Sequence, residues 1–120
     1  MAARVIHFGD DDCHRVAVLR RAGYVVAEAA DLADLRAHLR SMVDCDAVLI
    51  AEDEDRHPAG DLETVRRVSR VPVILFRRTS RELDEGSFSF VVHWLEPPSE
   101  WLREVAWVIV RNRTLPEAAD

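Results

Sequence analysis

The chain has 120 residues, 48% of them hydrophobic, which is enough for one compact core and too few for two ordinary domains. Its formal net charge of -6 and pI near 5.3 leave no basic stripe for a phosphate backbone or an anionic lipid surface, so neither nucleic acid nor a membrane is an expected partner. All 16 basic residues are Arg, which removes the ammonium point charge and Schiff-base chemistry of Lys altogether.

The apolar run Val5-Ile6-His7-Phe8 reads as a strand buried on both faces, and it ends in Gly9 followed by three carboxylates, Asp10, Asp11 and Asp12. A helix is predicted from Asp12 or Cys13 to Ala22, with an Asp cap and a terminating Gly23. Tyr24 to Ala27 is the second strand. Asp31 caps a second helix on the stripe Leu32, Leu35 and Leu39. Asp46 to Ala51 is the third strand, and the acidic loop Glu52-Asp53-Glu54-Asp55 leads to a helix on Leu62, Val65 and Val68. Val71 to Phe76 is the fourth strand. Arg77 to Gly86 is polar and aperiodic, with one or two helical turns at most, and Phe88 to Leu95 is the fifth strand. Ser99 caps a last helix carrying Trp101, Leu102, Val105, Trp107, Val108 and Ile109, and residues 112–120 read as a frayed tail.

Strands that alternate with helices form a parallel sheet with right-handed crossovers and helices on both faces. Ligands of such folds sit at the carboxyl ends of the strands, where the Asp10–Asp12 run and the acidic loop both fall. Cys13 and Cys45 form no C-x-x-C pair, the amino-terminal residues carry no secretory pattern, and no apolar stretch approaches the ~20 residues of a membrane span. Reduced, buried thiols in a cytoplasmic protein are therefore expected.

The strand followed by Asp10-Asp11-Asp12, Gly23-Tyr24-Val25-Val26, Asp46-Ala47-Val48-Leu49-Ile50, Val71-Pro72-Val73-Ile74-Leu75 and Glu96-Pro97 before a final helix occur in an order that resembles a response-regulator receiver domain. The match covers roughly residues 4 to 111 of a single domain spanning 1–120. The resemblance implies a flavodoxin-like, doubly wound five-stranded sheet in the order 2-1-3-4-5, here with a shortened first helix and an eroded helix between the fourth and fifth strands. It also implies that Asp10 and Asp11, with Asp12, are candidate ligands for a weakly held Mg²⁺, no other cofactor being expected. In that family an Asp ending the third strand accepts a phosphoryl group, and a Ser or Thr and a Lys sense it. Counted forward from Asp46, those three positions hold Ala51, Arg77 and Glu96.

A nucleophile is missing from the acceptor position, and a carboxylate stands where a cation should clamp the transferring group. The expected function is a phosphorylation-independent, receiver-like protein-interaction module in bacterial two-component-type signalling. It binds a protein partner, with a homodimer among the candidates, through a face near Trp94, Trp101 and Trp107. Counting backward from Arg66-Arg67-Val68 leaves an alternative open: a working receiver with Asp53 as displaced acceptor, Thr79 as sensor and Mg²⁺ at Asp10 and Asp11. A small Mg²⁺-dependent hydrolase or nucleotide-binding protein is a further alternative, without a Gly-rich loop or nucleophile elbow to support it. Either Arg77 or Arg78 is placed to reach the acidic cluster as an internal counter-ion. His7 and His93 read as hydrogen-bonded strand residues.

Overall fold

The computed structural model describes residues 2–93 and 95–114. Five strands, β1 (Arg4–Phe8), β2 (Val25–Ala29), β3 (Ala47–Ala51), β4 (Val73–Phe76) and β5 (Phe90–Val92), pair in parallel in the order β2-β1-β3-β4-β5. They are linked by α1 (Arg15–Arg21), α2 (Leu32–Ser41) and α3 (Pro58–Arg66), by a single 3₁₀ turn (Glu85–Ser87) between β4 and β5, and are followed by α4 (Pro98–Thr114). The doubly wound sheet, the short first helix and the eroded helix between β4 and β5 are therefore as expected from the sequence.

All five residues of β3 are buried, because helices cover both faces of the central strand. Side chains alternate across the pleat. Val5, Leu49, Ile74 and Phe76 pack with Val16, Leu19, Trp101, Val105 and Val108 beneath α1 and α4. Ile6, Phe8, Val48, Ile50 and Leu75 pack with Leu35, Leu39 and Val65 beneath α2 and α3.

Local chemistry sets the helix ends. The expected Asp cap of α1 is supplied from a distance: Asp11 Oδ1 accepts from the Val16 N–H at 3.1 Å, while Asp12, Cys13 and His14 form a turn before the helix, with His14 left-handed at φ 55. The helix therefore starts at Arg15, not at Asp12 or Cys13. It ends in a Schellman arrangement, with the Gly23 N–H donating to Arg20 O and the Tyr24 N–H to Leu19 O. Gly23, at φ 101, supplies the left-handed residue. Asp31 caps α2 by accepting from the Asp34 N–H at 2.8 Å, and Asp34 Oδ2 accepts in turn from the Ala30 N–H at 3.3 Å.

Several other boundaries differ from those read in the sequence. β5 spans only three residues, and Phe88 is buried outside it. Val68 lies beyond α3 and is exposed. Pro98, not Ser99, opens α4, where its missing N–H leaves no helical bond unmade. The helix continues through Asn112 to Thr114, so that part of the expected tail is helical, and residues 115–120 lie outside the described residues. The thiols are less buried than expected: Cys13 is exposed and Cys45 half-buried.

Candidate functional site

A cavity of about 490 Å³ opens at the carboxyl ends of β1, β3, β4 and β5. Gly9 lets the chain pass closely there: at φ 104, a Cβ on it would lie 3.0 Å from Ala51 O and 3.2 Å from Ala51 Cβ. Ala51, buried at the end of β3, presents a methyl group to the cavity, so the position that the resemblance assigns to the phosphoacceptor holds no nucleophile.

The carboxylate that follows is consumed by neighbouring donors. Glu52, 2% exposed, accepts at Oε1 from the Arg78 N–H (2.6 Å) and the Thr79 N–H (2.8 Å), and at Oε2 from the Thr79 hydroxyl (2.8 Å). Arg77 Nε lies 3.3 Å and Arg81 Nε 3.4 Å from its oxygens. Burial alone would raise the Glu52 pKa, but the two backbone donors, the hydroxyl and Arg77 outweigh it and hold the carboxyl below its ordinary range. Arg77 also pairs with Glu85 at 2.8 Å and donates to the carbonyls of Thr79 and Arg81. Arg81 donates to the carbonyls of Asp53, Glu54 and Arg56, which fastens the loop after β3 to the segment after β4.

Asp53 is half-buried outside the cavity lining. Its Oδ1 accepts from the Asp55 N–H at 2.7 Å, and its Oδ2 lies 3.5 Å from Arg56. Arg56 itself bridges to buried Asp61 at 3.1 Å and lies over the Phe8 ring, 4.4 Å from its centroid. Burial raises the Asp61 pKa against the opposing pull of Arg56.

The three leading acids diverge. Asp10 is exposed at the cavity rim, Asp11 caps α1, and Asp12 pairs with Arg78 at 3.1 Å. Among the described residues no three His, Cys, Asp or Glu side chains gather in a way that could hold a metal ion. The acids as placed therefore do not fit a divalent cation. Of the two candidate counter-ions, Arg78 is the one that reaches the cluster, while Arg77 serves Glu52 and Glu85.

Glu96, at the position the resemblance assigns to Lys, lines the cavity beside α4. Its Oε2 and Oε1 of Glu104 are buried with no hydrogen-bond partner among the described residues. Burial, hydrogen bonding to Glu96 and repulsion from Glu96 and Glu100 push the Glu104 carboxyl up to about 7. A proton on Glu104 supplies the donor that a pair of ionised carboxylates lacks.

His7 is buried in β1 as expected; burial and Arg15 push its pKa down to about 4, against Asp11. It is therefore neutral near pH 7 and accepts at Nε2 from Arg15 Nη1 at 3.3 Å. His93 differs from expectation, lying exposed just after β5, 3.6 Å from Glu85. The expected aromatic face is divided. Trp101 is core, edge-on to Phe76 with centroids 5.3 Å apart, and reaches only the inner wall of the cavity, not a face that a protein partner could meet. Trp107 is 53% exposed beneath the Arg111 guanidinium, and Trp94 lies outside the described residues.

Glu52 is a residue of this site that is absent from the candidates read in the sequence, being one of four consecutive acids after β3. The structure's register brings it out: Ala51 pairs with Phe76, which puts the next residues, Glu52 and Arg77, side by side at the carboxyl end of the sheet.

No family model matches the chain, and no curated protein sequence matches it. Solved structures do. A response regulator receiver domain protein from Clostridium thermocellum superposes with a TM-score of 0.77 at 15% identity, covering 95% of this chain and 99% of that one. The receiver domain of the TMAO respiratory system response regulator TorR gives 0.76 at 19% identity, covering 91% and 98%. The chemotaxis response regulator CheY4 of Vibrio cholerae gives 0.72 at 18% identity, covering 90% and 99%. In strand order, crossovers and extent, the chain has the fold of the response-regulator receiver domains.

Proposed function

We propose that this chain is a receiver-like protein-interaction module of bacterial two-component-type signalling that acts without being phosphorylated. The observation that carries this reading is the pairing of a methyl group at Ala51 with a Glu52 carboxylate already bound by Thr79, Arg77 and Arg78. The Thr79 hydroxyl, which a displaced acceptor would need, is spent on Glu52, and Glu96 adds negative charge where phosphoryl transfer needs a cation. The segment after β4 is thus held in one arrangement by internal charge, and a stable surface, not a switching one, is what a partner meets.

The contact face lies on α4, where Trp107 and Val110 are both more than half exposed one helical turn apart. A protein partner is the expected occupant, with self-association read out separately by light scattering. Titration with beryllofluoride and Mg²⁺, followed by Trp fluorescence, tests the reading: no saturable response is expected, and a saturable one that requires both components overturns it.

The second reading, phosphorylation of Asp53, draws on that residue's partial exposure next to Arg56. It would require Asp53 to leave Arg56 and the Asp55 N–H and enter a cavity it does not line.

A further inference from the structure

We propose that the cavity above the sheet is a binding site for a small aromatic carboxylate, with Arg15 as the anion anchor and Phe76, Val92, Pro97, Trp101 and Ala51 enclosing the apolar body. At about 490 Å³ the cavity lies within the ~300–1,000 Å³ typical of small-molecule sites, and its lining has the usual make-up of an apolar wall with a few polar groups. Ala51 creates the room: the small side chain at the end of β3 leaves the floor open between Phe76 and the acidic rim.

The charge complement comes from Arg15. Arg77 is matched by Glu52 and Glu85, and Arg78 by Asp12. Arg15, half-buried, forms no ion pair with a carboxylate among the described residues. Its guanidinium lies over the Phe76 ring at 4.4 Å and donates to neutral His7. Burial lowers its pKa, which reports the cost of keeping that cation partly out of water. A planar carboxylate offers the two-point acceptor that a guanidinium fork fits, while an aromatic body fills the space beside Phe76 and Trp101. Asp10, at the exposed rim, stays solvated and needs no counter-charge. Inorganic phosphate, with its higher charge, is a poor occupant, since Arg77 and Arg78 are already matched by carboxylates and Glu96 adds negative charge to the same wall, leaving Arg15 alone to hold one carboxylate.

The proposal rests on the reading that Ala51 leaves the phosphoryl position empty. The two can fail separately, because Asp53 lies outside the lining: its phosphorylation would defeat that reading without touching ligand binding.

Isothermal titration calorimetry with naphthoate and its neutral isostere naphthamide tests the site in the full chain. Naphthoate is expected to bind saturably and naphthamide at least about tenfold more weakly. Arg15→Met, which keeps the apolar stem over Phe76, should bring naphthoate down to the affinity of the amide, and Ala51→Leu should abolish binding of both. Cys13 lines the mouth, so in a Cys45→Ser background bound naphthoate should slow its alkylation by iodoacetamide. Absence of saturable binding to the unmodified chain, equal affinity for acid and amide, or unchanged binding to Ala51→Leu overturns the proposal. The acid-to-amide comparison needs no variant to fold.

Discussion

Thr79 donates twice to Glu52, through its N–H to Oε1 and through its hydroxyl to Oε2, each at 2.8 Å. The pair closes the gap between the ends of β3 and β4, and Arg77, with a side chain 9% exposed, depends on the same carboxylate. Glu52→Ala removes one of the two carboxylates that Arg77 pairs with and leaves two backbone donors and the Thr79 hydroxyl without their acceptor. Removing one partner of a buried ion pair destabilises by roughly 3–5 kcal/mol. Urea denaturation should show a loss of that order for Glu52→Ala, with Thr79→Val losing less because the backbone bonds and Arg77 remain. A loss below about 1 kcal/mol for Glu52→Ala, the value of an ordinary surface pair, would place this network outside the fold's energetics.

Arg78 reaches Asp12 at the surface, both side chains being about half exposed, so the bridge itself is worth ~0–1 kcal/mol. Its larger consequence is electrostatic, since it neutralises one of the three leading acids. Arg78→Ala should leave stability nearly unchanged in urea denaturation, because both side chains of that bridge are about half exposed. Arg77→Ala should instead destabilise the chain. The reverse assignment of the two effects would contradict the pairing described.

Glu104 titrates near 7 in the folded chain against an ordinary value of 4.5. Because the folded-state pKa is raised, the unfolded chain releases its proton first as pH increases. This contribution to stability is therefore fully present below about 4.5 and is lost as pH rises through about 7. Glu52 acts oppositely: its pKa is lowered, so its contribution is present above the ordinary carboxylate range and is lost on acidification. Glu104→Gln should flatten the decline between pH 4.5 and 7 in thermal melts while leaving the acid limb intact. An unchanged profile would show that Glu104 is not held protonated by its surroundings.

Much of the architecture was legible because burial on both faces leaves a plain trace. Val48-Leu49-Ile50 is apolar without alternation, as a central parallel strand must be, and the stripe of Leu35 and Leu39 marks the inner side of α2. The position of Ala51 at the strand end followed from the same run. The polar network was not legible, because Glu52 sits in a run of four acids whose composition suggests a solvated loop, and only strand pairing distinguishes it from Glu54 and Asp55. Trp101 carried a readable signal: with Val105 and Val108 it falls at i, i+4 and i+7, the spacing of a buried helix face. Trp107 falls off that stripe and is exposed. The turn at Cys13 and His14 left no trace in periodicity, since His14 takes a left-handed conformation that no Gly announces.

The most direct test of the central claim is intact-protein mass spectrometry after incubation with acetyl phosphate and Mg²⁺, performed on the unmodified chain and on Asp53→Asn. The account predicts an unshifted mass in both. A gain of one phosphoryl group on the unmodified chain that is lost in Asp53→Asn would contradict it.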